Sequence, residues 1–101
     1  MKKLLVITLA SLGATTALAQ SNTVSPPGRL LASNCFQCHG TDGRGSGTFE
    51  RLAGKSAREI AGELREMKAE NKRGDIMTIH ALGYTDAQIT LIADYLSKQP
   101  R

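Results

Sequence analysis

Tryptophan is absent from the 101 residues, and phenylalanine and tyrosine number two each. So small a stock of bulky side chains leaves a short chain poorly supplied for a core. Chains of this size commonly rely on a disulfide, a metal or another staple. Cysteine is equally scarce, with Cys35 and Cys38 alone. No alternation of apolar and polar residues marks a strand, and no internal repeat is present. No run of Lys and Arg interleaved with aromatics is present, which argues against nucleic acid as a partner. The first apolar run, broken by Thr8, Ser11 and Gly13, is shorter than the ~20 residues a bilayer requires, so it reads weakly as a membrane anchor.

That run reads better as a secretory signal. Lys2 and Lys3 precede Leu4, Leu5, Val6, Ile7, Leu9 and Leu12, and Ala17-Leu18-Ala19 forms a small-x-small cleavage pattern. Two segments are expected: a signal peptide over 1–19 and a single mature domain over 20–101, exported to the periplasm with no stable membrane insertion. Losing Lys2 and Lys3 halves the formal charge of +4, so the mature chain is near neutral and steers partners only modestly.

The mature part is expected to be all-α, with three main helices and a short one. Ser25 before Pro26 is a helix start, since serine caps free amides and proline is tolerated at the first helical position. Gly28, Leu31, Cys35 and Cys38 share a face of that first helix. The stretch TDGRGSGTF is loop by composition. Ser56 with Glu59 forms a capping box for a second helix whose apolar face is Ala57, Ile60, Ala61, Leu64 and Met67, ended by Gly74. A short helical segment runs from Asp75 to Gly83. Thr85 with Gln88 opens the last helix, which buries Ile89, Ile92, Ala93 and Leu96 and stops before Pro100.

The chemistry lies in NCFQCHG, residues 34 to 40. A disulfide between residues three apart closes too small a loop to stabilise much. Zinc needs four ligands, and beyond Cys35, Cys38 and His39 the other strong candidate is His80. A thiol redox pair belongs at a helix start in a βαβ setting, whereas this pair ends a helix. Covalent haem attachment uses all three residues: two thiols for the vinyl groups and the adjoining His39 for the iron. It also places a large apolar disc where the aromatic side chains are missing.

A second iron ligand would come from Met67, Met77 or His80. Met67 lies on the apolar stripe of the second helix and reads as core. Met77 sits in the short segment between helices, flanked by Ile76 and Ile79, and is the favoured ligand; His80, three residues on, is the rival and would lower the potential.

With these residues in place the chain resembles class I cytochromes c over nearly all of its mature length: a first helix ending in CFQCHG, the loop TDGRGSG, the LAG at Leu52 to Gly54, a late methionine, and a closing helix ITLIADYL. The resemblance implies one covalently attached haem c, with Cys35 and Cys38 as tethers and His39 and Met77 as iron ligands. It also implies first and last helices that cross, bringing Gly28 or Leu31 near Tyr95 and Leu96. The implied function is one-electron transfer to redox partner proteins, with no catalytic residue of its own. More narrowly, IMTIHALGYTDAQI is similar to the cytochrome subunit of flavocytochrome c sulfide dehydrogenases, which implies a sulfide-oxidising flavoprotein as partner. A gas binder or sensor with a labile distal ligand is the alternative. Many family members place a proline two residues before the LAG leucine, where its carbonyl accepts from the proximal histidine. Glu50 stands there in this chain; any residue offers a carbonyl, so the bond stays available and its geometry is open.

Overall fold

The computed structural model describes residues 24–101 together with 2–4, 10, 13 and 14. The proposed cleavage site after Ala19 and most of the signal segment lie outside the described residues. Four α-helices and one 3-10 turn make up the described chain: α1 Arg29–His39, the turn Thr41–Gly43, α2 Ala57–Glu70, α3 Ile76–Leu82 and α4 Asp86–Ser97. No strand occurs among the described residues. None of the described helices is long and apolar enough to cross a membrane.

Capping fixes most helix boundaries. The Thr85 hydroxyl accepts from the Gln88 amide while the Gln88 side chain accepts from the Thr85 amide, so two amides at the start of α4 are satisfied reciprocally. The Asp75 carboxylate accepts from the Met77 amide at 2.9 Å and opens α3. Ser56 accepts from the Glu59 amide at 3.1 Å, but the Glu59 carboxylate turns to Lys55 at 3.7 Å, so α2 carries half of the expected box.

Two boundaries differ from expectation. Helix α1 begins at Arg29, with Gly28 at its N-cap and φ +83°, rather than at Ser25. Pro27 disfavours helical geometry at Pro26, and the Arg29 amide instead closes a turn onto the Pro26 carbonyl at 3.1 Å. Helix α2 ends at Glu70 rather than at Gly74. Asn71 takes the left-handed conformation at φ +52° and donates to the Met67 carbonyl, a stop that asparagine tolerates almost as glycine does.

Helix α4 is the centre of the packing. Ile89, Ile92 and Leu96 are fully buried, each contributing roughly 1.5–3 kcal/mol on leaving water. They meet Ile60, Ala61 and Leu64 of α2 and Ala32 of α1 in one apolar cluster. Helix α1 crosses α4 at Gly28: a Cβ there would lie 2.2 Å from the Leu91 carbonyl oxygen and 3.1 Å from Tyr95 Cβ. Only glycine permits that approach and that φ together. The crossing expected near Tyr95 is thus present, with Gly28 as its contact point.

Candidate haem site

His39 is the last residue of α1, one helical turn beyond Cys35 and directly after Cys38. Gly40 follows at φ +83°, and a Cβ on it would stand 2.3 Å from the Gly45 carbonyl oxygen. The chain therefore folds back sharply beneath the helix end. Its last carbonyls are satisfied by this return: the Gly45 amide donates to His39 at 2.7 Å and the Ser46 hydroxyl to Cys38 at 2.6 Å. Leu52 and Ala53 amides then both donate to the Gly43 carbonyl, and Gly54 donates to Leu96, tying the loop to α4.

The His39 ring is held at its Nδ1, which lies 2.6 Å from the Glu50 carbonyl oxygen. A carbonyl only accepts, so Nδ1 carries the proton and a neutral ring keeps its lone pair on Nε2. Phe49 sits against the same ring, with centroids 6.0 Å apart and planes tilted by 57°. The bond left open by Glu50 in the proline position is therefore formed.

No disulfide joins Cys35 and Cys38; Cys35 is half-buried and Cys38 is exposed. Beside them opens a cleft of about 670 Å³ including its mouth. Cys35, Cys38 and His39 reach it from α1, Met77 and His80 from α3. Leu64 and Ile92 extend its apolar lining from α2 and α4. Met67 packs on the core and lines a smaller cavity next to Met77, outside this cleft. Among the described residues no three His, Cys, Asp or Glu side chains gather as a metal cluster, so a zinc reading has no ligand set here.

The cleft is shaped by Tyr84, whose importance no local pattern announces. Its hydroxyl donates to the Leu31 carbonyl at 2.9 Å and accepts from Asn34 Nδ2 at 2.8 Å. Its own carbonyl accepts from Lys68 of α2. The residue joining α3 to α4 thereby holds α1 and α2 around the opening.

A second set of polar contacts lies behind His39. Lys55, with 11% of its side chain exposed, donates to Glu50 at 2.8 Å and Glu63 at 3.1 Å and stands 3.7 Å from Glu59. Burial alone would lower the lysine pKa, but its hydrogen bonds and charge contacts to Glu50 and Glu63 together raise it. Glu50 is held below its ordinary value mainly by the hydrogen bond from Lys55.

Two unpaired thiols on one helical turn, an adjoining imidazole with its Nδ1 proton fixed, and an apolar cleft beside them fit a flat apolar cofactor tethered through sulfur. These are the features of a c-type haem protein. The Cytochrome c family profile matches residues 27–100, and the chain belongs to that family. The fold is the all-α class I cytochrome c fold, and its cofactor is one covalently bound haem c.

The chain is 38% identical over 86 residues to the cytochrome subunit of sulfide dehydrogenase of Chlorobaculum tepidum, covering 81% of this chain and 78% of that protein. It is 30% identical over 103 residues to cytochrome c-553 of Nitratidesulfovibrio vulgaris, covering 97% and 99%. A thiosulfate dehydrogenase electron acceptor of Thiomonas intermedia is 37% identical over 70 residues, covering 65% of this chain and 32% of that protein. Cytochromes of this family are electron carriers or subunits of enzymes.

Proposed function

We propose that the chain is a periplasmic one-electron carrier whose haem iron is held by His39 and Met77, and that it takes electrons from a sulfide-oxidising flavoprotein subunit. The observation that carries the ligand assignment is the convergence of α1 and α3 on one cleft, with His39 from the first and Met77 from the second. Bound haem c supplies a ferric–ferrous couple. Cys35 and Cys38 would tether it by thioether bonds, and the Glu50 carbonyl, by holding the proton on Nδ1, would leave the Nε2 lone pair of His39 available to the iron.

Met77 and His80 both line the cleft from α3, and Met77 is preferred for its chemistry. The largely apolar lining suits a neutral thioether, and methionine opposite histidine raises the potential into a range useful for accepting electrons. Leu64 and Ile92 add apolar surface to the same space.

The partner reading rests on the relative from Chlorobaculum tepidum, whose name places it in a sulfide dehydrogenase. Its test is reduction: the ferric protein is mixed with a sulfide-oxidising flavoprotein, and sulfide is added. Rapid conversion to the ferrous spectrum, dependent on both components, is expected. Reduction no faster than with sulfide alone would remove the flavoprotein from the account.

A further inference from the structure

We infer that Lys55 is a positioning residue for His39, acting through Glu50 as a latch that holds one backbone carbonyl against the imidazole. This rests on His39 being the haem-iron ligand.

The loop between Gly45 and Leu52 is anchored at both ends, by the Gly45 amide on His39 and the Leu52 amide on Gly43. Between those anchors the backbone of Glu50 makes no hydrogen bond to another backbone group among the described residues, and the residue is exposed. Two contacts hold it: its carbonyl accepts from His39 Nδ1 at 2.6 Å, and its carboxylate accepts from Lys55 Nζ at 2.8 Å. An exposed ion pair contributes little on its own. This one differs because the lysine is nearly buried and is fixed at its other side to Glu63 of α2. The Lys55 amide also donates to the Leu52 carbonyl at 3.1 Å, placing the lysine at the junction of loop and helix. A cation so enclosed keeps one position, since leaving its carboxylates would strand a buried charge. The carbonyl aimed at His39 is thus referred to helix α2 through two ion pairs.

A histidine ligand whose second nitrogen donates a hydrogen bond is the more basic ligand, and such outer contacts tune a metal site. The test uses the holoprotein and the variant Glu50→Ala/Lys55→Met, which removes one charge of each sign and so leaves the net charge unchanged. The latch predicts exchange of the His39 Nδ1 proton about tenfold faster by NMR, the factor that matches one ordinary hydrogen bond. It also predicts an upward shift of the midpoint potential, because a weaker donor favours ferric iron less. Lys55→Arg alone, which keeps both the cation and the Glu50 carboxylate, retains slow exchange.

A variant that melts earlier yet keeps wild-type exchange and potential would overturn the latch and leave Lys55 a purely structural residue. Should the double variant fail to accumulate, Glu50→Ala alone cuts the latch at a side chain that is 61% exposed, and the exchange readout decides in the same way. Failure of the underlying haem reading would look different: His39→Ala would then leave the optical spectrum of the wild-type protein intact.

Discussion

Gly28 and Leu91 touch so closely that a single methyl group at residue 28 would stand 2.2 Å from the Leu91 carbonyl oxygen. The contact locks the start of α1 onto α4, and it does so at a left-handed φ. Gly28→Ala combines a backbone strain of about 1–2 kcal/mol with a clash against unyielding backbone. Denaturant unfolding of the holoprotein should show a loss of about 2 kcal/mol or more. A loss under 0.5 kcal/mol would mean the helices do not cross there.

Tyr84 predicts a milder and more local effect. Tyr84→Phe removes a hydroxyl that links Leu31 and Asn34, a change that costs about 1 kcal/mol. Because the ring still fills its place, the optical spectrum should stay that of the wild type while thermal stability falls. Unchanged stability would show that the two bonds do not hold α1.

Acid stability should depend on Asp42. The hydrogen bond from Tyr95 is the leading cause of its lowered pKa, with the Arg29 charge adding to it. A carboxylate with a depressed folded-state pKa adds stability that is present above its unfolded value near 4 and lost as pH falls through the folded value. Tyr95→Phe should raise the Asp42 pKa in an NMR titration and move acid unfolding to higher pH. At the alkaline end Tyr95 itself is raised above its ordinary value, first by burial and then by Asp42. Its contribution is therefore present below about pH 10 and fades as pH rises through its folded value. In Tyr95→Phe that alkaline loss should disappear.

The distal ligand is tested by substitution on α3. Met77→Ala should keep haem covalently bound, lose the sulfur-to-iron charge-transfer band at the red end of the ferric spectrum, lower the potential and admit carbon monoxide or nitric oxide. His80→Ala should leave the spectrum nearly unchanged. The reverse pattern assigns the iron to His80, and gas binding by the unaltered protein favours a sensor with a labile ligand.

What is legible in the residues is what is decided locally. Cys35, Cys38 and His39 lie within five positions, so their joint use can be read without a fold. The caps at Asp75 and Thr85 are equally local, each a side chain reaching an amide two or three residues on. The start of α1 has a local and a distant cause: Pro27 disfavours helical geometry at Pro26, and the Gly28 that precedes Arg29 must fit against Leu91, far along the chain. Asn71 likewise ends α2 ahead of Gly74, since a left-handed asparagine serves as well. The roles of Tyr84 and Lys55 depend on partners in other elements. Glu50 could be flagged only as an unusual occupant of its position, and its bond to His39 required the folded loop to be seen.

The intact mass of the protein, isolated from cells with haem-attachment machinery, tests the central claim most directly. The account predicts a polypeptide heavier by one haem, with neither Cys35 nor Cys38 reacting as a free thiol. The bare polypeptide mass, with both thiols titratable, would contradict it.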